Sequence, residues 1–203
     1  NHEAKVSKAV AEAMNYPWEF VKYSNSLWRK WWQSKELTDY KIFASQFSSL
    51  PHMQDWPAVL LLKQEGKLDK DAVFAPGHSA DLPAGSRSRS LPHIYDSNSM
   101  NIEQVLDAII KWHYLLYPLS TKEIKNWEKR ILDKYQICAH INKADAFEEW
   151  DVQERQAKFI INSVRVYEFF GYDWYLPFWD IDFMCYWQKV PLHLRKNQCL
   201  YMR

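Results

Sequence analysis

Apolar positions near the start of the chain recur at helical spacing: Ala4, Val6, Ala9, Val10, Ala13 and Met14 form one stripe over residues 3–14. Asn15-Tyr16-Pro17 breaks it, and the run 18–23 reads as a short strand. Ser24 or Asn25 is placed to cap a helix carrying Leu27, Trp28, Trp31 and Trp32. A further helix is expected over 36–50, ending at Pro51. The stretch 52–62 begins as a turn and becomes a buried helix with Pro57 in its first turn. Gln54 and Asp55 at that helix start are either polar groups for a ligand or plain cap residues. The short apolar run 72–75 reads as a buried strand. Helix, strand, helices and a second strand in this order predict an α/β arrangement with a parallel sheet.

Beyond residue 100 the pattern turns helical, with no strand signal up to 170. Ile102, Val105, Leu106, Ile109, Ile110, His113 and Leu116 make one stripe, stopped at Pro118. His113 lies on that stripe and reads as a core histidine. Ser120-Thr121-Lys122-Glu123 offers a capping box to a helix running to about Ala139. The longest helix is expected over 145–170, with Gly171 as its terminator. Glu154, Lys158, Asn162, Arg165 and Glu168 recur along its polar side. The segment 174–179 is apolar and irregular around Pro177. Asp180 then caps a helix over 181–190, and Pro191 opens a last one running to Arg203. Two parts follow: a partial α/β half over 1–96 and a helical lobe over 97–203.

At 203 residues the chain can build one well-buried domain, alone or with a helical lobe. A net charge of +1 gives no basic field for nucleic acid and no acidic solvating tail. The 11 Trp, 12 Tyr and 10 Phe against only 4 Gly describe an aromatic core, with an aromatic surface for sugars or bases as the alternative. Cys138, Cys185 and Cys199 are an odd number at no framework spacing. They read as core thiols in a reducing, cytoplasmic setting. No run of 18 apolar residues spans a bilayer, and Asn1-His2-Glu3-Ala4-Lys5 is no signal peptide. The absence of an initial Met and the immediate helical pattern lead us to expect a piece of a longer enzyme.

Candidate chemistry gathers after the run 72–75. A turn punctuated by Pro76, Gly77 and Gly85 places His78, Ser79 and Asp81 beyond the carboxyl end of the expected strand, where ligands collect in open α/β sheets. An ordinary turn with a solvated Asp is the plainer alternative. Arg87-Ser88-Arg89-Ser90 follows as a polar, mobile loop whose arginines could close over an anion.

The turn Gly77-His78-Ser79-Ala80-Asp81 with Gly85-Ser86, and the segment Asp173-Trp174-Tyr175-Leu176-Pro177-Phe178-Trp179-Asp180, together resemble the synthetase domain of the asparagine synthase family. They are similar to that family's G-x-G-x-D-E-x-x-x-G-Y turn and E-x-R-x-P-F-L-D signature. A closer resemblance is to glutaminase-less asparagine synthase-like proteins of bacterial surface-polysaccharide loci. There a P-G-H-S-G-D turn and a helix ending N-S-x-R-x-Y-E-x-x-G-Y-x-W-x-L-P-L-W-D recur. The resemblance implies the PP-loop, adenine nucleotide α-hydrolase fold: here a remnant of a Rossmann-like parallel sheet followed by a mostly helical lobe.

It also implies ATP-dependent adenylation of a carboxylate-type substrate, pyrophosphate release and amine transfer. In that chemistry Asp81 coordinates Mg²⁺ and pyrophosphate, and His78 is the general base on the attacking nitrogen. Ser79 gives a hydroxyl to phosphate, and Gly77 and Gly85 allow close backbone approach. Arg165 and Lys158 stabilise the adenylate; ion pairs with Glu154, Glu168 or Asp151 are their alternative use, and Asp180 is a cap. The small-molecule substrate is a carboxylate or sugar-linked acid, with ammonia from solution or a separate glutaminase, and a homodimer is a candidate assembly.

The departures are specific. The family's S-G-G-x-D-S pyrophosphate loop occurs nowhere in the 203 residues. His78 stands where asparagine synthetases carry Glu, Tyr175 where the signature has Arg, and Leu82 where the second acid belongs. These departures support a second expectation, a degenerate synthetase-like scaffold or partner subunit. A third, an aromatic-lined carbohydrate-binding module, has composition alone behind it.

Overall fold

The computed structural model describes residues 2–46, 49–96, 99–135 and 142–200. Cys138 and the expected helix ends at Ala139 and Arg203 lie outside them. The described chain is mostly helical. Helix α1 (His2–Ala13) buries none of its residues, and its apolar stripe faces outward. The expected strand over 18–23 does not form: the segment is irregular, Trp18 stacking on Phe20 with ring centroids 5.7 Å apart. Helices α2 (Asn25–Trp32) and α3 (Lys35–Ser45) start where Ser24 and Ser34 accept from the Leu27 and Leu37 N–H groups. Gln46, left-handed at φ 41°, ends α3 short of Pro51. Helix α4 (Trp56–Gln64) carries Pro57 in its first turn.

Strand β1 (Val73–Phe74) forms within the predicted run and pairs in parallel with β2 (Asp173–Trp174). No Rossmann-like sheet is built on this pair among the described residues. Parallel sheets are stable with both faces covered, and here Val73 is 60% exposed, so it does not form a sheet interior. The stretch 87–90, expected as a mobile loop, is helix α5 (Arg87–Ser90) with Arg87 and Ser88 buried, followed by α6 (Pro92–Tyr95). Helix α7 (Ile102–His113) presents Val105, Leu106, Ile109 and Ile110 of the predicted stripe to the core but ends before Leu116, which is exposed, and α8 (Thr121–Lys134) opens on the predicted Ser120–Glu123 capping box.

The long helix runs unbroken but changes pitch. Helix α9 (Lys143–Trp150) leads into a π-helical stretch (Asp151–Ile160), a 3₁₀ turn (Ile161–Val164) and α10 (Arg165–Phe169), which ends at Gly171 with φ 84°. A 3₁₀ turn (Pro177–Trp179) and α11 (Ile181–Gln188) follow, the latter capped by Asp180 as predicted. The expected last helix is only the short α12 (Leu192–Arg195), because Asn197 turns left-handed at φ 52°.

Two apolar clusters form among the described residues. One is drawn from α6, α7, α8 and α9. The other joins α2, α3 and α4 to α10, Tyr172 and Leu176 around the fully buried Trp56 and Tyr40. The α9–α10 rod belongs to both, one at each end. Free Cys185 is exposed and Cys199 half-buried, so Cys185 is not the core thiol that composition suggested.

Candidate functional site

Strand β1 delivers the chain into the turn carrying His78, Ser79 and Asp81, and the three side chains face different neighbours. His78 is 17% exposed at the side chain. Its ring lies against Ser163 on the 3₁₀ turn, with Nδ1 2.9 Å and Nε2 3.2 Å from Oγ. Asp55 Oδ2, just before α4, is 3.9 Å from Nε2, and the His52 ring meets the His78 ring edge-on at 6.1 Å. Burial lowers the His78 pKa below the ordinary 6.5. The Asp55 charge opposes that shift and His52 adds to it.

Three tyrosines fix the 52–55 turn. Tyr40 OH donates to the His52 carbonyl at 2.5 Å, Tyr23 OH to the Gln54 carbonyl at 2.9 Å, and Tyr167 OH to Asp55 Oδ2 at 2.9 Å. Burial first, then the Asp55 charge, raises all three hydroxyls, so they remain donors. Asp55 makes no side-chain cap to α4. Its carboxylate turns to Tyr167 and His78 instead, so the plain cap that the sequence left open is not made.

Ser163, His78 and Asp55 form a Ser–His–Asp constellation without a nucleophile. Ser163 is 1% exposed, and its hydroxyl hydrogen goes to the Ile160 carbonyl at 2.5 Å. An acyl-transfer serine needs an exposed oxygen that hands its proton to the imidazole, and Ser163 has neither.

Ser79 is buried and left-handed at φ 66°, a strained conformation for a residue with a Cβ. Its hydroxyl donates to Gln156 Oε1 at 2.9 Å, and Gln156 Nε2 donates to Asp151 Oδ2 at 2.9 Å. Asp151, a candidate surface partner for Lys158 in the sequence, is instead 0% exposed. His113 Nε2 lies 3.4 Å from its other oxygen and Arg87 Nε 3.9 Å from Oδ2. Burial and the Arg155 and Arg87 charges hold His113 down at about 3, so it is neutral at ordinary pH. Core histidine is its observed place, its ring tilted against that of Trp150 with centroids 4.3 Å apart.

Asp81 is 67% exposed, 4.0 Å from Arg87 Nη1. Gly77 has open space where a Cβ would stand. At Gly85, φ is 68° and a Cβ would lie 1.8 Å from the Arg195 carbonyl oxygen, so its backbone approach is to the chain itself. Lys158 pairs with Glu154, and Arg165 with Glu168 at 2.8 Å while lying over the Phe43 ring. These two cations, with Asn162 and Trp174, line a groove of about 560 Å³. The structure brings Lys158 and Arg165 together, and neither His78 nor Asp81 lines that groove.

Sequence reasoning missed a second cleft, of about 550 Å³, lined by Leu82, Glu148, Trp187 and Arg195 among others. Arg195 there spans Asp145, at 2.5 Å, and Glu148, which also accepts from Tyr95 OH. Burial pushes Glu148 up to about 7 despite the Arg195 charge. The pairing of residue 195 with 145 and 148 leaves no local pattern to read.

Among the described residues no group of three or more His, Cys, Asp or Glu side chains is arranged to hold a metal ion. Asp81 alone does not fit a resident Mg²⁺ centre; a magnesium ion here would arrive with phosphate oxygens as its other ligands. No described helix is long and apolar enough to cross a membrane. Comparison of the chain with protein-family models, with curated proteins and with solved structures finds no match.

Proposed function

We propose that this chain carries part of the machinery of an asparagine synthase-like, ATP-dependent ligase or amidotransferase. One observation carries the reading. The two segments that resemble the family's signatures leave the carboxyl ends of adjacent parallel strands, β1 leading to Pro76–Asp81 and β2 to Pro177–Asp180. Ligand crevices of α/β proteins open at that end. The groove holding Lys158, Arg165 and Trp174 adds two cations and an aromatic face suited to a nucleotide.

In this chemistry a substrate carboxylate oxygen attacks the α-phosphorus of ATP and pyrophosphate leaves. An amine then attacks the acyl carbon, AMP leaves, and the nitrogen proton passes to the neutral His78 ring. Asp81 faces the phosphates, and any magnesium travels with them. The amine comes from ammonia or a separate glutaminase. The substrate class is a carboxylate, including sugar-linked acids.

A second reading has its own support. Ser79 is committed to Gln156, Gly85 to the Arg195 backbone, and Lys158 and Arg165 to their glutamates. A scaffold that keeps the fold without turnover would look like this. Calorimetric titration of the protein with Mg·ATP separates the two. Micromolar binding that Asp81→Ala and Lys158→Ala each weaken at least tenfold, with melting temperature unchanged, supports the ligase. No heat of binding supports the scaffold.

A further inference from the structure

The two arginines of α5 are used differently. Arg89 is exposed and donates to Gln198 Oε1 at 2.7 Å. Arg87 is 7% exposed, yet its buried Nε and Nη2 have no hydrogen-bond partner. The carboxylates beside it stand beyond hydrogen-bond reach, Asp151 Oδ2 3.9 Å from Nε and Asp81 Oδ2 4.0 Å from Nη1. The Trp112 ring holds the guanidinium through a cation–π contact, 5.4 Å from Cζ to the ring centroid. The fork of donors is thus set in place and unspent on the chain.

A second cation comes from the π-helical stretch. Arg155 is half-buried and, among the described residues, makes no hydrogen bond or ion pair. Burial first and then the Arg87 charge lower its pKa, while Asp151 and Asp81 oppose the shift. Burial, and then the Arg155 and Arg87 charges, keep the neighbouring His113 neutral, so that ring adds no charge. Two anions answer the two cations. Asp151 is sealed in the core and takes the Gln156 amide, whereas Asp81 is 67% exposed and can turn into solvent.

We propose that Arg87 and Arg155 form an oxyanion site for a phosphate group beside the candidate turn, the Asp81 carboxylate holding the place of the ligand until one arrives. Paired guanidiniums suit this task because their planar donors match phosphate oxygens. An entering phosphate displaces Asp81 from Arg87, and where Mg²⁺ accompanies the phosphate the freed carboxylate turns to the metal. No bond is made or broken at the site. The inference deepens the ligase reading by naming the side chains that hold the departing pyrophosphate, and it rests on that reading for the identity of the phosphate carrier.

Calorimetric titration of the intact protein with inorganic pyrophosphate tests the site. Arg155→Gln removes a charge that no hydrogen bond or ion pair uses, so it weakens pyrophosphate about tenfold or more at unchanged melting temperature. Arg89→Gln leaves the affinity unchanged. Asp81→Asn acts with opposite signs in two arms: without metal it tightens pyrophosphate by removing the internal competitor, and with Mg²⁺ it weakens it. The inference is overturned by a wild-type protein that takes up no pyrophosphate, by Arg155→Gln binding like the wild type, or by Arg89→Gln proving as damaging as Arg155→Gln. Metal-free weakening in Asp81→Asn overturns it too. Should Arg155→Gln fail to fold, the two Asp81→Asn titrations still decide it. A protein that binds pyrophosphate as described and gives no heat with Mg·ATP refutes the ligase reading alone.

Discussion

Gly77 and Gly85 sit in one turn and serve unlike purposes. Adding a Cβ at Gly77 meets no atom within 4 Å, and its φ is not left-handed. Gly77→Ala is therefore expected to change stability by no more than about 0.5 kcal/mol. Gly85 combines a left-handed φ with a backbone oxygen where the Cβ would stand. Gly85→Ala is expected to cost of order 3 kcal/mol, since neither φ nor the Arg195 carbonyl can yield cheaply. Urea unfolding of the two variants checks both numbers. If Gly85→Ala unfolds like the wild type, the approach of residue 195 is not a rigid part of the fold. At this scale the sequence was informative about where polar side chains gather and silent about what they touch. His78, Ser79 and Asp81 are adjacent in the chain, yet they face Asp55, Gln156 and Arg87, each from a different element. Lys158 and Arg165 did find their ion pairs with Glu154 and Glu168, because partners three and four residues away on a helix are local.

Among the elements, the stretch Asp151–Ile160 explains most of what was not legible. Helical spacing at 3.6 residues per turn places positions five apart roughly 140° from one another, so Asp151 and Gln156 read as pointing to different sides. On the wider π-helix they share a face and hydrogen-bond at 2.9 Å, and that face receives Ser79. Long π-helical stretches are rare and frequently sit at functional sites, and this one borders the candidate turn. Gln156→Ala would leave the buried Asp151 Oδ2 and the Ser79 hydroxyl without this partner, a loss of about 2–4 kcal/mol. Differential denaturation measures it, and a loss below 1 kcal/mol would mean that water replaces the amide. Other elements were readable because their signals are short-range. The Ser120–Glu123 box, the Asp180 cap, the α7 stripe as far as Ile110 and the Gly171 terminator all appear where the residues put them. The run 18–23 failed as a strand because no strand among the described residues pairs with it, and β propensity expresses packing against neighbours more than a backbone preference.

For the molecule as a whole, two buried groups give stability opposite pH dependences. Glu148, raised to about 7 by burial, binds a proton in the folded state that the unfolded chain has already released above about 4.5. Its contribution is full below that value and is lost as pH rises toward 7. His113, held at about 3, is neutral in the folded protein while the unfolded chain protonates it below about 6.5. Its contribution is present above 6.5 and is lost as pH falls toward 3. Between about 4.5 and 6.5 the two slopes oppose each other, so unfolding free energy should rise with pH there in Glu148→Gln and fall with pH in His113→Phe. Identical pH profiles for Glu148→Gln and wild type would show that Glu148 is charged throughout. The two-cluster plan was not readable from the chain, because the second cluster takes residues from both sides of the first. Val73 pairs with Asp173, one hundred positions later, and the first cluster lies wholly between them. The stretch after α12 closes the arrangement. Asn197 N–H donates to Ser88 Oγ at 2.9 Å, Arg89 donates to Gln198 at 2.7 Å, and Arg195 crosses to α9. A chain emerging from the ribosome makes its helices in order, and the segment between 91 and 150 can condense as soon as it is out. The turn carrying His78 cannot: both the strand that lies beside β1 and the residues that clasp 85–90 are synthesised some hundred codons later. The candidate turn therefore cannot complete the contacts described here until residues 173–198 have been made.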